Sequence, residues 1–266
     1  MTGVQDVVLI HGLVNRHRWS DAFLETLTDV WGSGHVYVIY TNAYNEVKEN
    51  VYNGKVIYMI GRNNGSAGTK SLDDQTKEME GKIQILQSDY GLGKTFNVIG
   101  HSMGGLVARQ YIYHQPHTVA NLVTLGTPHH GSPLADYYRG LGFILRARKA
   151  FANTNPKWLK TFNARYPVAG APLFNEGKIY TIRGNAKGKL RNNWGTLGEV
   201  YFGWLTLRLI KRTANDGLVP YDSAVIDGAE HLGDFPDCDH LGLVVRSSVA
   251  KAASVALRGS RADKGA

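Results

Sequence analysis

The stretch that decides the fold is FNVIGHSMGG at residues 96–105, where an apolar run leads into a glycine-flanked serine and then into a helical pattern. Ser102 would sit on a sharp strand-to-helix turn, and Gly100 and Gly104 leave room for the chain to cross itself there. The N-terminus of the following helix carries partial positive charge and free N–H groups, which suit a developing oxyanion. We therefore predict that Ser102 is a nucleophile. The alternative is a glycine-rich turn whose serine only caps the helix.

Apolar runs of strand length recur on both sides of this stretch, with helical patterns between them. The further strand candidates lie at residues 7–10, 36–40, 119–125, 178–182 and 219–226. The further helix candidates lie at residues 19–30, 71–87 and 243–257, with Ser71 as the N-cap of the second. Strands that alternate with helices predict an α/β fold with a mostly parallel central sheet and helices on both faces.

Length and composition limit the class of protein. The chain has 266 residues, of which 43% are apolar and 20% charged, and this excludes a disordered or fibrous chain. One cysteine excludes an intramolecular disulfide framework and a zinc finger. We predict a single domain over residues 1–266, with two insertions that lack a strand signal, at 132–172 and 184–213.

The charge balance and the hydropathy pattern narrow the set of partners. The net charge is +8, but the basic residues form no run of five, so we expect no nucleic-acid partner. No apolar run approaches the ~18 residues of a membrane helix and no signal segment opens the chain, so we expect a soluble protein without integral membrane association. No G-x-G-x-x-G follows a strand, and we expect no cofactor. The compartment and the oligomeric state stay open.

A serine nucleophile needs a base, and four histidines after Ser102 are relevant. His240 lies in DCDHL just before the last predicted helix, and we predict that it is the base. His231, in AEHL, is the alternative. We expect His129 and His130, in TPHHGS, to line the cleft or to fix a turn.

The acid of such a triad should lie between the serine and the histidine along the chain. Asp216, in NDGLVP, is the strongest candidate, because Asp-Gly forms a tight turn that can aim a carboxylate sideways. Its role would be to hold one tautomer of His240 and to stabilise the imidazolium. An ordinary Asx-turn is the structural alternative, and the other acidic candidates are Asp222, Asp227 and Asp234.

An oxyanion hole needs two backbone donors. We predict that one is the N–H of Met103, directly after the serine, and that the other is the N–H of Leu13 in the HGLV loop after the first strand. Gly12 would let that loop approach the substrate closely. We expect His11 to hold the loop rather than to transfer a proton.

Five blocks of this sequence together resemble the bacterial true lipases of the α/β-hydrolase superfamily, and they occur in that family's order. They are VLIHGL at 8–13, GHSMGG at 100–105, VTLGTPHHGS at 123–132, NDGLV at 215–219 and DHL at 239–241. The resemblance implies an α/β-hydrolase fold with a minimal sheet that lacks the superfamily's first two strands. It also implies a carboxylic ester hydrolase, a lipase that cleaves acylglycerol esters at a lipid–water interface.

Carried over residue by residue, the resemblance implies the triad Ser102, Asp216 and His240, with Leu13 and Met103 as oxyanion donors. This sequence departs from the family at its calcium site, because Gly242 stands where many secreted members have an aspartate two residues after the histidine. The segment 184–213 adds only Glu199 as an acid, so we expect no bound metal.

The first insertion, 132–172, is a candidate lid. It combines apolar and basic side chains in helical stretches, and an amphipathic basic helix of this kind could rest on a lipid surface. The apolar residues are Leu141, Phe143, Ile144, Leu145, Phe151, Trp158, Leu159 and Phe162, and the basic ones are Arg139, Arg146, Arg148, Lys149, Lys157 and Lys160. The alternative is a plain amphipathic helix that packs on the domain.

Other functions on the same frame remain open. A carboxylesterase for short soluble esters, a phospholipase and a polyester depolymerase share the triad chemistry. A non-catalytic binding protein on this fold would normally have lost a triad member, and this sequence keeps all three.

Overall fold

A computed structural model gives the fold, and it describes residues 5–13, 19–137, 148–186 and 197–259. The strands are β1 (Val7–Ile10), β2 (Val36–Ile39), β3 (Val47–Tyr52), β4 (Lys55–Ile60), β5 (Phe96–His101), β6 (Val119–Leu125), β7 (Ile179–Asn185) and β8 (Glu230–Pro236). The helices are α1 (Asp21–Trp31), α2 (Leu72–Asp89), α3 (Met103–His114), α4 (Leu134–Tyr137), α5 (Arg148–Ala152), α6 (Pro156–Arg165), α7 (Leu197–Lys211) and α8 (Ser247–Gly259).

The strands of the described residues form one sheet in the order β3-β4-β2-β1-β5-β6-β7-β8. Every neighbouring pair is parallel except the β3–β4 hairpin. The predicted mostly parallel sheet is therefore confirmed. Because the strands run the same way, the loops after β1, β2 and β5 meet at one edge of the sheet.

β1 shows how the sheet is covered on both faces. Val8 and Ile10 belong to the core beneath α2 and α3, whereas Val7 and Leu9 belong to the core beneath α1 and α8. All four side chains are fully buried. Burial of an aliphatic side chain of this size contributes roughly 1.5–3 kcal/mol, so this short strand stabilises both layers and fixes the loop that follows it.

The strand predicted at residues 219–226 is wrong, because the chain turns there. The N–H of Val219 donates to Asp216 Oδ1 across 2.7 Å instead of to a neighbouring strand. Pro220 has no N–H to offer a ladder, and residues 221–224 form a turn. The last strand is β8, which pairs with β7 at the edge of the sheet.

The β3–β4 hairpin was not predicted. It turns at Asn53 and Gly54, whose φ angles of 49° and 72° are both positive. Two consecutive positive φ angles are typical of a type I′ hairpin turn, for which Asn-Gly is the favoured pair. The hairpin adds two strands to the sheet beside β2, because β4 pairs with β2 in parallel.

Two helix starts illustrate how local hydrogen bonds set the boundaries. Ser71 caps α2 as predicted, and its Oγ accepts from Asp74 N across 3.2 Å. The last helix begins at Ser247 rather than at residue 243, because residues 242–244 form a short 3₁₀ turn. Gly242 N donates to Asp239 Oδ1 across 2.7 Å, a local bond that competes with helix formation.

The first insertion contains α4, α5 and α6. Leu159 and Phe162 of α6 are buried in the core, and Asn163 Oδ1 accepts from Arg109 of α3 across 3.0 Å. α6 is therefore packed on the domain, as in the alternative to a lid. Residues 138–147 lie outside the described residues, and with them Arg139, Leu141, Phe143, Ile144, Leu145 and Arg146; the side chain of Arg148 is likewise not described. The lid stays a prediction.

The second insertion begins inside β7, which runs to Asn185, and it contains α7. Residues 187–196 lie outside the described residues, Trp194 among them. In the part of the chain that the structure describes, no helix has the length and hydropathy needed to cross a membrane.

Candidate active site

Ser102 lies on the turn between β5 and α3 with a backbone that few residues adopt, at φ 54° and ψ −126°. A non-glycine residue held in such a region costs on the order of 1–3 kcal/mol. Ser102 N donates to Leu125 O across 2.8 Å, and Gly105 N donates to Ser102 O across 3.1 Å. These two hydrogen bonds hold the strained turn in place, and the Ser102 side chain remains partly exposed.

The glycines of the motif are required by close backbone contacts. A Cβ on Gly104 would lie 2.4 Å from Ile10 O, and one on Gly100 would lie 2.7 Å from the Cα of Gly105. Neither contact is possible for a real side chain without movement of the backbone. Gly104 therefore lets α3 start against β1, and Gly100 lets the chain fold back across itself.

The loop after β1 approaches Ser102 directly. A Cβ on Gly12 would lie 2.6 Å from the Cβ of Ser102 and 3.2 Å from its Oγ. The next residue, Leu13, is one of the two predicted oxyanion donors, and the sheet brings its loop to the start of α3. Leu13 and Met103 are thus on the two segments that flank Ser102.

The two predicted oxyanion donors have free backbone N–H groups as far as the described residues go. Neither Leu13 N nor Met103 N donates to another residue within that part of the chain. Met103 is the first residue of α3, where a helix has no internal acceptor for the N–H. An N–H of this kind is available to a developing negative charge.

His11 fixes the loop that carries Leu13, as the sequence analysis expected. Its Nε2 accepts from Thr41 N across 3.0 Å, so its Nδ1 carries the proton and donates to Gly12 O across 2.7 Å. Burial lowers the pKa of His11 to about 4, which keeps the ring neutral at neutral pH. A neutral ring with both nitrogens in hydrogen bonds positions the loop and has no free nitrogen for proton transfer.

Asp216 and His240 are joined by two hydrogen bonds and are both buried. His240 Nδ1 donates to Asp216 Oδ2 across 2.7 Å, and His240 N donates to Asp216 O across 2.7 Å. The second carboxylate oxygen, Oδ1, accepts from the N–H groups of Leu218 and Val219 across 3.0 and 2.7 Å. The carboxylate is therefore held at both oxygens, and its orientation towards the His240 ring is fixed.

Gly126, at the end of β6, leaves the space that this pair occupies. Its φ is 55°, and a Cβ there would lie 2.9 Å from Asp216 Oδ2 and 3.2 Å from His240 Nδ1. In the GTPHHG segment, the absence of a side chain at Gly126 therefore makes room for the Asp216–His240 pair. His129 of the same segment is fully buried, and its Nδ1 accepts a hydrogen bond from Arg109 of α3 across 3.1 Å.

His101 precedes the serine directly, and no role was predicted for it from the sequence. Its Nε2 donates to His240 O across 2.9 Å, and the two rings lie 4.6 Å apart. The Trp19 and His101 rings make a T-shaped contact, with 6.3 Å between centroids. His101 therefore links the turn of Ser102 to the loop of His240. Its position next to the serine was the only signal in the sequence.

The alternative base and acids have other partners or are exposed. His231 lies in β8, where Nε2 is 2.8 Å from Asp234 Oδ1 and Nδ1 is 2.9 Å from Thr181 Oγ1. Asp234 also accepts from Arg183 and is partly exposed. Asp222 and Asp227 are exposed. Among the described residues, no hydrogen bond or ion pair joins any of these four to His240.

A metal site was not expected from the sequence. Within the described ranges, no three His, Cys, Asp or Glu side chains converge in a way that could hold a metal ion.

The parallel sheet and the strand–Ser102–helix turn at its edge define the class of protein, an α/β-hydrolase. The structure of mature Bacillus licheniformis lipase BlEst2 shares this fold, with a TM-score of 0.63 and 21% identity over 92% of this chain and 88% of that chain. The family model for palmitoyl protein thioesterase matches residues 6–165, and the chain belongs to that family.

Curated relatives are lipases by name. Triacylglycerol lipase 2 of Saccharomyces cerevisiae is 28% identical over 186 residues, which are 65% of this chain and 52% of the yeast protein. A triacylglycerol lipase of Pseudarthrobacter phenanthrenivorans is 51% identical over 41 residues, 15% of this chain and 13% of that protein. The chain thus spans about half the length of the yeast relative and a smaller share of the bacterial one.

Proposed function

We propose that this protein is a carboxylic ester hydrolase in which Ser102 is the nucleophile, His240 the general base and Asp216 the acid that orients it. The observation that supports this best is the 2.7 Å hydrogen bond from His240 Nδ1 to the buried Asp216 carboxylate. That bond leaves Nε2 of the neutral ring unprotonated, as a general base requires. The strained turn of Ser102 at the same sheet edge supports the role of its hydroxyl.

The proposed reaction has two acyl-transfer steps. Ser102 Oγ attacks the ester carbonyl carbon while His240 Nε2 takes its proton, and the Leu13 and Met103 N–H groups stabilise the oxyanion. His240 then gives that proton to the leaving alcohol, and the acyl group remains on Ser102. A water attacks the acyl-enzyme with the same base, which releases the carboxylic acid and restores the serine.

For the substrate, we propose acylglycerol esters, as for a lipase of the bacterial kind, met at a lipid–water interface. The names of the curated relatives support this, as do the five sequence blocks around the proposed site. A single domain over residues 1–266 is part of the same proposal. A carboxylesterase, a phospholipase and a polyester depolymerase are the other oxygen-ester functions that the same residues would serve.

A second candidate function comes from the family description. Palmitoyl protein thioesterase names a thioester substrate with a long acyl chain. A thioester carbonyl would accept the same attack by Ser102, and the leaving thiol would need less help from His240 because thiolates are better leaving groups. The family match therefore favours long-chain acyl thioesters over the remaining alternatives as the second candidate.

The test compares acyl length and leaving atom in one experiment. Initial rates are measured on p-nitrophenyl esters from acetate to palmitate, on emulsified triacylglycerol and on a palmitoyl thioester, with Ser102→Ala as the matched control. A lipase hydrolyses the long-chain esters and the emulsion fastest, and a thioesterase prefers the thioester at equal chain length. Equal slow rates in both proteins on every substrate would refute ester hydrolysis at Ser102.

A further inference from the structure

The outward face of α7 is apolar, which is unusual for a surface helix. Phe202 and Leu209 are 61% and 69% exposed, and Tyr201 is 42% exposed. Leu205, one helical turn after Tyr201, and Trp204 are partly exposed. Residues 201, 205 and 209 are four apart and therefore share one side of the helix. We call these five side chains the α7 face.

The opposite side of α7 is also apolar and is already used for packing. Val200 and Leu207 are buried, and a Cβ on Gly203 would lie 2.1 Å from Gly217 O. A helix that covers the domain on one side normally shows polar residues on the other. α7 has apolar side chains on both sides, with the exposed Arg208 among those of the outward side, and an exposed apolar surface of this kind marks an interaction site.

The location of the α7 face connects it with the proposed active site. Gly203 packs on Gly217, and Gly217 directly follows Asp216, the proposed acid. Leu134 of α4 also packs on Gly203, since its Cδ1 lies 3.2 Å from the position that a Cβ of Gly203 would take. A surface that binds the α7 face would therefore lie about one helix diameter, roughly 10 Å, from the Asp216 turn.

The charges around the face indicate what binds there. α7 and the residue after it contain three basic residues, Arg208, Lys211 and Arg212, against one acid, Glu199. The Arg208 guanidinium lies 5.5 Å from the Trp204 ring, and Arg208 is exposed on the same side of the helix as the face. Aromatic rings and aliphatic side chains beside basic residues are the combination that holds amphipathic helices in the headgroup region of anionic membranes.

We propose that the α7 face docks on an anionic lipid surface. The apolar side chains enter the headgroup boundary, and Arg208 and Arg212 bind the phosphates. This deepens the proposed function and rests on it for its purpose, since docking would hold the protein on the surface that contains its ester substrates. It assigns a lipid contact to α7, whereas helix α6 of the first insertion packs on the domain.

The test measures vesicle binding with the inactive Ser102→Ala protein, so that binding does not depend on catalysis. Co-sedimentation uses vesicles of phosphatidylcholine alone and of phosphatidylcholine with phosphatidylglycerol. The variants Phe202→Ser and Leu209→Ser change exposed side chains, so folding should be retained. The matched controls are Val255→Ser on α8 and Val51→Ser on β3, whose valines are 71% and 65% exposed.

We expect binding to the anionic vesicles only, weakened on the order of tenfold by each α7 substitution and unchanged by either control. Equal losses in the α7 and control variants, or binding that ignores the α7 substitutions, would overturn the proposal. So would a dimer in size-exclusion chromatography that Phe202→Ser dissociates, because the face would then join two copies. If the vesicles bind but the wild-type Ser102 protein cleaves no ester, the proposed function fails and the docking surface stands.

Discussion

The backbone N–H of His240 donates to Asp216 O across 2.7 Å, beside the 2.7 Å bond between their side chains. The pair is held by main chain and side chain together, so a substitution of the carboxylate changes the ring's tautomer preference without releasing the loop. This separates the electrostatic role of Asp216 from its structural one.

Replacing Asp216 by Asn is expected to lower kcat by roughly 10⁴, as the same change does in serine protease triads. The amide cannot hold the proton on His240 Nδ1 as a carboxylate does, so the ring no longer presents an unprotonated Nε2. Steady-state rates on a soluble p-nitrophenyl ester measure the loss. Asp234→Asn is the matched control, because Asp234 pairs with His231 on β8, and kcat should not change. A variant at Asp216 that keeps a tenth of the activity would contradict the assignment.

His101 is expected to act as a positioning residue for His240. Phe in its place keeps the ring but removes the hydrogen bond to His240 O, which is worth about 0.5–1.5 kcal/mol and therefore about 2- to 12-fold in kcat. KM should stay the same, and His101→Gln, which restores an N–H donor, should recover part of the rate. If His101→Phe lowers only the melting temperature and leaves kcat unchanged, the residue is merely structural.

Gly12→Ala tests the contact between the first loop and Ser102. The new Cβ would lie 2.6 Å from the Ser102 Cβ, so the loop or the serine must move. A displacement of about 1 Å near reacting atoms can cost on the order of 10² in rate, and we expect a loss of that size in kcat/KM. Gly81→Ala on α2 is the control: it has open space around its Cβ and should stabilise the protein by about 1 kcal/mol with unchanged activity.

Stability should fall as the pH drops from about 6.5 towards 4. Burial lowers the pKa of His11 to about 4 and that of His129 well below its ordinary value. Below pH 6.5, these two histidines therefore bind protons in the unfolded chain while they remain neutral in the folded chain. The stabilisation is complete above the unfolded pKa of about 6.5 and is lost on acidification, by about 3 kcal/mol for His11 at pH 4. Urea midpoints at several pH values measure it. A midpoint that is flat from pH 7 to 4.5 would contradict the buried neutral histidines, and His11→Gln should show a shallower slope.

The parts of the fold that the sequence predicted are those in which local pattern and tertiary packing agree. The VVLI run of β1 is buried on both faces, as a continuous apolar strand should be. Ser71 caps α2 because a serine before a helix satisfies a free N–H wherever the helix lies. The turn at Ser102 follows from its glycines, whose contacts leave no room for side chains.

Other parts needed long-range information. β8 has little hydrophobic alternation in EHLGDFP and forms because β7 offers it an edge. The apolar residues at 219–226 look like a strand, but Pro220 and the Asp216 carboxylate take that segment into a turn. The β3–β4 hairpin had a signal in Asn53-Gly54 that the hydropathy pattern did not reveal.

The candidate site shows the same division. Chain order and the residue types around Ser102, Asp216 and His240 were enough to choose these three. The choice between His240 and His231 could be tested only in three dimensions, where His231 pairs with Asp234 and His240 with Asp216. The role of His101 was not predictable, because its partner is a backbone carbonyl 139 residues away along the chain.

Covalent labelling tests the central claim most directly. The 266-residue protein and its Ser102→Ala variant are treated with a fluorescent alkyl phosphonate, and the labelled peptide is identified by mass spectrometry. The account predicts one phosphonyl group per chain, on Ser102 Oγ, none on the variant, and loss of ester hydrolysis in step with labelling. Stoichiometric labelling of another residue, or ester hydrolysis by Ser102→Ala at the wild-type rate, would contradict it.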